Sequence, residues 1–369
     1  MKVLCVFGTR PEAIKMAPVI RELRKWADRA VTKVCVTAQH RTMLDQVLEL
    51  FEIQPDYDLQ VMQQNQSLSY ITAQVLRELE HVLSAEQPDW VLVQGDTTTT
   101  MAASLAAYYQ RMRIGHVEAG LRTRSKFRPF PEEINRRIGD VLADLCFAPT
   151  EAARRNLISE GIADSAIRVT GNTVIDALLW VQDRIRRCPP VFPNGLLGWL
   201  GDHRMVLVTG HRRESFGAPF EAICLALRDL AERLPEVRFV YPVHLNPKVQ
   251  GPVRRILSGI PNVLLVDPLP YGAFVRLMER ASVILTDSGG VQEEAPSLGK
   301  PVLVMRETTE RPEGIEVGSV RLANTDRQQI VEETMRLLQD SAHYEAMAAV
   351  RNPYGDGRAA HRIVEALLP

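Results

Sequence analysis

Short apolar runs alternate with amphipathic stretches along most of this chain. Val3–Phe7, Val31–Thr37, Trp90–Gln94, Ile114–Val117, Leu145–Ala148 and Arg168–Thr170 have the length and composition of strands. Pro11–Lys25, Arg41–Phe51 and Thr99–Gln110, which lie between them, have helical spacing. Pro11 stands in the first turn of its helix, where a missing N–H costs nothing. The strand runs are continuous rather than alternating, so both faces of the sheet are expected to be buried. That pattern belongs to a parallel sheet covered by helices.

The rhythm breaks at Cys188-Pro189-Pro190-Val191-Phe192-Pro193-Asn194-Gly195, where three prolines and a glycine predict a linker. It restarts with strands at Met205–Thr209, Val237–Tyr241, Val263–Val266, Val283–Thr286 and Pro301–Val304. Helices are predicted at about Thr325–Leu338, Ala342–Ala349 and Gly357–Leu367. The expected fold class is α/β, with two doubly wound, Rossmann-like domains facing a cleft. In such sheets ligands sit beyond the carboxyl ends of the strands, so the residues just after each strand carry the chemical interest.

Four strand ends are unusually polar. Gly8-Thr9-Arg10-Pro11-Glu12, with Lys15 one turn on, joins a tight turn to a helix N-terminus that offers free N–H groups to an anion. Gly95-Asp96-Thr97-Thr98-Thr99-Thr100 follows an apolar strand, and one helix cap does not need five consecutive polar residues. Glu118 follows a strand within Gly115-His116-Val117-Glu118-Ala119-Gly120. Glu132 and Glu133 open a helix after Pro131, where the helix dipole accounts for one carboxylate of the pair. Arg122, Arg124, Lys126 and Arg128 crowd the intervening loop, placed either to close over phosphates or simply to be solvated.

In the second half, Thr209-Gly210-His211-Arg212-Arg213-Glu214 and Asp287-Ser288-Gly289-Gly290 follow strands, and Glu294 lies one turn inside the helix after the latter. Ser-Gly-Gly at a helix start lets a diphosphate approach backbone amides. A carboxylate at Glu294 can accept from ribose hydroxyls. Together these residues describe a diphosphate-sugar site, with cations on one side and Asp96, Glu118 and Glu132 on the other.

The totals narrow the field. A net charge of -1, with 46% apolar and 24% charged residues, gives no global pull toward nucleic acid or an anionic membrane. No stretch reaches the roughly 18 uncharged apolar residues of a membrane helix. The N-terminus lacks signal-peptide features, and five cysteines form no C-x-x-C pair, so a reducing, cytoplasmic location is expected and a zinc site is not. His116-x-Glu118 lacks the P-C-x-x-C of a zinc deaminase.

Seven segments, in order, resemble the bacterial non-hydrolysing UDP-N-acetylglucosamine 2-epimerases: the Gly8–Glu12 and Gly95–Thr100 turns, His116–Arg122, Pro129–Glu133, Thr170-Gly171-Asn172-Thr173, Gly210–Glu214 and Asp287–Gly290. The resemblance runs from residue 3 to about residue 320. It implies the GT-B arrangement of two Rossmann-like domains, residues 1–187 with 350–369 and residues 188–349, the last helix crossing back to the first domain. It also implies reversible inversion of carbon 2 of UDP-N-acetylglucosamine, giving UDP-N-acetylmannosamine for cell-surface polysaccharide precursors. No cofactor and no metal are expected, and no G-x-G-x-x-G follows any strand to support a nicotinamide route. A homodimer is the usual state of lookalikes.

By the same resemblance, Asp96, Glu118 and Glu132 are the acid–base candidates. Lys15, Arg10, His211, Arg212, Arg136 and the Ser288-Gly289-Gly290 turn hold UDP or offset developing charge. Glu294 binds ribose and Phe274 contacts uracil. Gln39, Arg212, Glu214 and His244 match a second, activating substrate site, from which Thr42 and Asn65 depart. Four other functions fit parts of this pattern. A hydrolysing relative would release the free sugar. A relative specific for UDP-diacetamido-glucuronic acid matches the Thr-Arg-Pro-Glu and Asp-Thr-Thr-Thr-Thr segments less well. A GT-B glycosyltransferase would not need three carboxylates, and a silent nucleotide-sugar sensor would have lost them.

Overall fold

A computed structural model describes residues 1–37, 41–61, 66–192 and 195–368; the side chains of Arg41 and Thr42 are not described. Gln39 and Asn65, and the side chain of Thr42, therefore lie outside the described residues. The chain forms two compact units, Met1–Leu179 with Tyr354–Pro369, and Trp180–Pro353.

Unit 1 is built on seven strands: β1 Lys2–Phe7, β2 Val31–Val36, β3 Tyr57–Asp58, β4 Trp90–Gln94, β5 Arg113–Val117, β6 Leu145–Ala148 and β7 Ile167–Val169. They pair in parallel in the order β3-β2-β1-β4-β5-β6-β7. The helices are α1 Arg10–Lys25, α2 Arg41–Phe51, α3 Leu68–Glu86, α4 Thr98–Tyr109, α5 Glu132–Leu142, α6 Glu151–Ser159 and the first half of α7 Thr173–Arg187, whose residues from Trp180 on belong to unit 2. The apolar positions Val75, Leu79, Val82 and Leu83 of α3 fall on one helical face and join β1, β4 and β5 in the core. Each such fully buried side chain stabilises by about 1.5–3 kcal/mol.

Unit 2 repeats the plan with α8 Leu196–Leu200, β8 Met205–Thr209, α9 Ala218–Arg233, β9 Arg238–Pro242, α10 Pro247–Leu257, β10 Val263–Val266, α11 Tyr271–Arg280, β11 Val283–Thr286, α12 Gly289–Glu294, β12 Val302–Val304, α13 Pro312–Glu316, β13 Val320–Leu322, α14 Arg327–Gln339 and α15 Ser341–Ala348. Its six strands are parallel in the order β10-β9-β8-β11-β12-β13. The chain then returns to unit 1 as α16 Ala359–Leu367, which packs on α1. Asp176 of α7 receives α16, accepting from the N–H groups of Ala359 at 3.1 Å and Ala360 at 2.9 Å.

Strand order reverses between β1 and β4 in unit 1 and between β8 and β11 in unit 2. These are the switch points at which open parallel sheets bind ligands. The strands expected from apolar runs are present within a residue or two, and two further strands, β3 and β13, complete the sheets. Among the described residues no helix is long and apolar enough to cross a membrane.

Candidate active site

The first turn of unit 1 is organised by Glu12. Its side chain closes a capping box on Thr9, accepting from Thr9 N at 2.7 Å and from Gly8 N at 3.0 Å. Its other oxygen accepts from Thr97 Oγ1 at 2.6 Å, tying the β1–α1 turn to the β4–α4 turn. Burial pushes the Glu12 carboxyl above its usual range, against the pull of those hydrogen bonds.

Glu118 stands immediately after β5 with a backbone φ of 66°. A non-glycine side chain in the left-handed region is uncommon and concentrates where function requires strain. Glu118 is also 8% exposed, and it is not alone. Lys15 Nζ reaches its two oxygens at 2.7 and 2.5 Å, and Gln94 Nε2 donates to the same carboxylate. Asp96 pairs with Arg136, and its backbone carbonyl accepts from Asn135 Nδ2 at 3.1 Å. Lys15, Glu118, Asp96 and Arg136 are thus brought together at the carboxyl ends of β1, β4 and β5.

Glu132 and Glu133 separate by environment. Glu132 is half-buried at the first position of α5. Glu133 is buried and holds the preceding loop, accepting from Thr123 N at 3.1 Å and Thr123 Oγ1 at 3.0 Å. Arg10 is half-buried at the start of α1. Arg122 belongs to neither role considered for its loop. Its guanidinium is buried between Asp140 at 2.6 Å and Glu160 at 2.8 Å, so it is neither solvated nor available to a phosphate.

In unit 2 the organising group is Asp287, 1% exposed after β11. One oxygen accepts from the backbone N–H of His211 at 2.6 Å and of Arg212 at 2.7 Å, and the other lies 3.1 Å from His211 Nδ1. Burial alone would raise the Asp287 carboxyl. The His211 imidazole and the two backbone N–H groups outweigh it and hold the carboxyl below its ordinary range. His244, exposed, stacks on His211 with ring centroids 5.4 Å apart. Burial of its ring and the charge of His211 push its pKa down.

Ser288, Gly289 and Gly290 open α12 as expected, and Ser288 N donates to Thr286 Oγ1 at 2.9 Å. A Cβ on Gly289 would lie 2.6 Å from the Arg311 guanidinium carbon, so the group that requires glycine there is Arg311. Glu294 accepts from Tyr271 Oη, and Phe274 lies half-buried one turn along the same helix α11. Glu214 pairs with Arg306 at 2.6 Å and Arg212 with Glu310 at 3.4 Å. Glu310 also meets Arg306 at 2.8 Å and Arg311 at 2.6 Å. Burial opposes its charge, but Arg311, Arg306 and Arg212 hold the Glu310 carboxyl well below the usual range. The sequence reading passed over Gln94, Asp140, Tyr271, Arg306, Glu310 and Arg311. Arg306 to Arg311 follow β12, so the strand-end rule already contained their signal, and Asp140 lies on the same face of α5 as Glu132 and Arg136.

Two Rossmann-like sheets with charged residues gathered at their carboxyl strand ends define an α/β enzyme of the GT-B type. A profile of the family described as UDP-N-acetylglucosamine 2-epimerase matches residues 22–368. The UDP-N-acetylglucosamine 2-epimerase of Escherichia coli strain K12 is 58% identical over 370 residues, covering 100% of this chain and 98% of its own length. The crystal structure of UDP-GlcNAc 2-epimerase from Neisseria meningitidis bound to UDP-GlcNAc superposes with a TM-score of 0.93 at 51% identity, covering 100% of both chains. That of Methanocaldococcus jannaschii, in complex with UDP-GlcNAc and UDP, gives 0.83 at 32% identity, covering 100% of this chain and 99% of its own. The chain belongs to the UDP-N-acetylglucosamine 2-epimerase family and is an isomerase.

Proposed function

We propose that this enzyme interconverts UDP-N-acetylglucosamine and UDP-N-acetylmannosamine by elimination and re-addition. The hydrogen on carbon 2 is not beside a carbonyl, so simple deprotonation is very unfavourable. In the elimination the C2–H electrons form the C1=C2 double bond of 2-acetamidoglucal. The C1–O electrons leave with UDP, and a carboxylate takes the proton. Protonation of C2 from the opposite face and return of the UDP oxygen to C1 complete the inversion. The observation that carries this reading is Glu118, buried at a strand end in a left-handed conformation and gripped by Lys15 and Gln94.

Asp96, Glu118 and Glu132 share the acid–base work. They act as a coupled set rather than as three independent groups. His211, Arg212, Arg10 and the Ser288-Gly289-Gly290 turn hold the diphosphate and oppose charge developing on UDP, while Lys15 and Arg136 also hold Glu118 and Asp96. Glu294 takes the ribose and Phe274 the uracil. The products feed polysaccharide precursors in the cytoplasm, a location that the free thiols of Cys5, Cys35, Cys146 and Cys224 support.

Incubation with UDP-N-acetylglucosamine in deuterated water, without NAD, tests the reaction. UDP-N-acetylmannosamine deuterated at carbon 2 is the expected product. Folded protein that yields no exchange refutes the reading. A second substrate molecule bound near Arg212, Glu214 and His244 is the regulatory reading, supported by the ion pairs that link Glu214 and Arg212 through Arg306 and Glu310. It requires sigmoidal rates, and hyperbolic rates exclude it. A homodimer is the expected assembly, supported by exposed Tyr108, Tyr109 and Val141 at the ends of the packed helices α4 and α5. Sedimentation as a monomer overturns it.

A further inference from the structure

His116 lies in β5, two residues before Glu118, and its ring is fully buried. Nε2 is 2.7 Å from the carbonyl oxygen of Gly95, and Nδ1 is 2.7 Å from Asp140 Oδ1. Both partners are acceptors. Each ring nitrogen therefore faces an oxygen of a different element, the β4–α4 turn on one side and α5 on the other. Asp140 meets Arg122 at 2.6 Å, and Arg122 meets Glu160 at 2.8 Å, so the line of polar contacts runs on from His116 toward the surface. Burial alone would raise the Asp140 carboxyl, but His116 and Arg122 hold it below its ordinary range.

The contacts of this ring fall on the three segments that carry the acid–base residues. Gly95, at φ 74°, directly precedes Asp96, and its carbonyl is the group His116 orients. Val117 O, beside the ring in sequence, accepts from Gly95 N at 3.0 Å, closing the link between β5 and the β4–α4 turn. Asp140 lies on α5 in line with Arg136 and Glu132, four and eight residues back, on one helical face. That face is therefore pinned twice, by Arg136 on Asp96 and by Asp140 on His116. Between the pins, a Cβ on Gly139 would stand 3.2 Å from His116 Cε1, so the helix backbone lies close against the imidazole.

We infer that His116, buried between Gly95 and Asp140, is a positioning residue that sets the spacing of Asp96, Glu118 and Glu132. The inference rests on those three as the acid–base set. His116 touches no reacting atom. It acts through the turn, the strand and the helix, and a displacement of about 1 Å at such a distance costs about 100-fold in rate.

The test compares the full-length variants His116→Asn and Asp140→Asn, the second keeping shape while removing the charge. Each is expected to lower kcat for carbon-2 deuterium exchange by about 100-fold. KM and the affinity for UDP, whose proposed clamp lies chiefly in unit 2, stay within about twofold, and the double variant falls no further than either single one. Unchanged kcat in the variants, or losses in KM equal to those in kcat, overturns the inference. If His116→Asn fails to bind UDP or to melt cooperatively, Asp140→Asn decides. Glu118→Gln is the control. If it abolishes exchange while His116→Asn is fully active, positioning by His116 fails and the acid–base reading stands. If Glu118→Gln exchanges at the wild-type rate, the acid–base reading itself fails.

Discussion

The two units share a parallel sheet, a switch point and a polar turn after each central strand, yet they present opposite charges. In unit 1 the Asp96 side chain is 31% exposed above an Arg136 that is 6% exposed. In unit 2 the order is inverted: Asp287 is 1% exposed and His211 is 39% exposed. In these two pairs the buried partner decides which sign is exposed, whereas Lys15 and Glu118 are both buried, at 11% and 5% exposed. On the proposed function, an exposed carboxylate serves proton transfer and exposed cations hold an anion. Backbone N–H groups make the second arrangement tolerable, because they share the Asp287 charge that His211 alone would have to balance.

The largest test of this division is Glu118→Gln. It should cut carbon-2 exchange by about 1,000-fold, as expected for loss of a positioned acid or base, while UDP affinity measured by titration calorimetry stays within about twofold. Comparable losses in both would mean that the units do not divide the labour. Arg212→Ala should do the reverse on a smaller scale. UDP binding should weaken about 10-fold, the size of one charge-assisted contact, with exchange at saturating substrate within about threefold. Equal affinity in variant and wild type would remove the cationic half of the comparison.

The smallest effect concerns pH. The Asp287 carboxyl has a folded value below its ordinary 3.8, so its stabilisation is fully present above about pH 4 and is lost as pH falls through the folded value. Asp287→Asn should therefore flatten the acid limb of the unfolding curve of unit 2 and cost about 1–2 kcal/mol at neutral pH. Parallel acid limbs for variant and wild type, in chemical denaturation, would show that Asp287 is not the group that titrates.

What could be read in the sequence follows from how local each signal is. The strands β1, β4 and β8 are five- or six-residue apolar runs, and their burial on both faces is visible residue by residue. β3 has two residues and no run, and β13 is Val-Arg-Leu at a sheet edge with only its first residue buried, so neither has a pattern to detect. The strand-end carboxylates were legible because Asp96 and Glu118 directly follow apolar strands. Lys15 and Arg136 were candidates too, but their pairing with these carboxylates was not legible. Lys15 meets Glu118 across 103 positions of sequence and Arg136 meets Asp96 across 40, separations that only the sheet order closes. His116 illustrates the same limit. One polar residue in an apolar strand has several meanings until Gly95 and Asp140 are placed around it.

The return of the chain to unit 1 governs how this enzyme can be taken apart. Residues 180–353 are one uninterrupted stretch that begins inside α7, suited to separate expression as a fragment in which the proposed UDP clamp can be tested. A fragment ending at residue 179 lacks α16, leaves Asp176 without the two amides it receives, and strips the cover from α1. Yet Asn172 N already donates to Tyr354 O at 2.7 Å, and Gly357 sits against Leu179. A short splice from Leu179 to Tyr354 would excise unit 2 and leave the carboxylate-bearing half as a single continuous polypeptide.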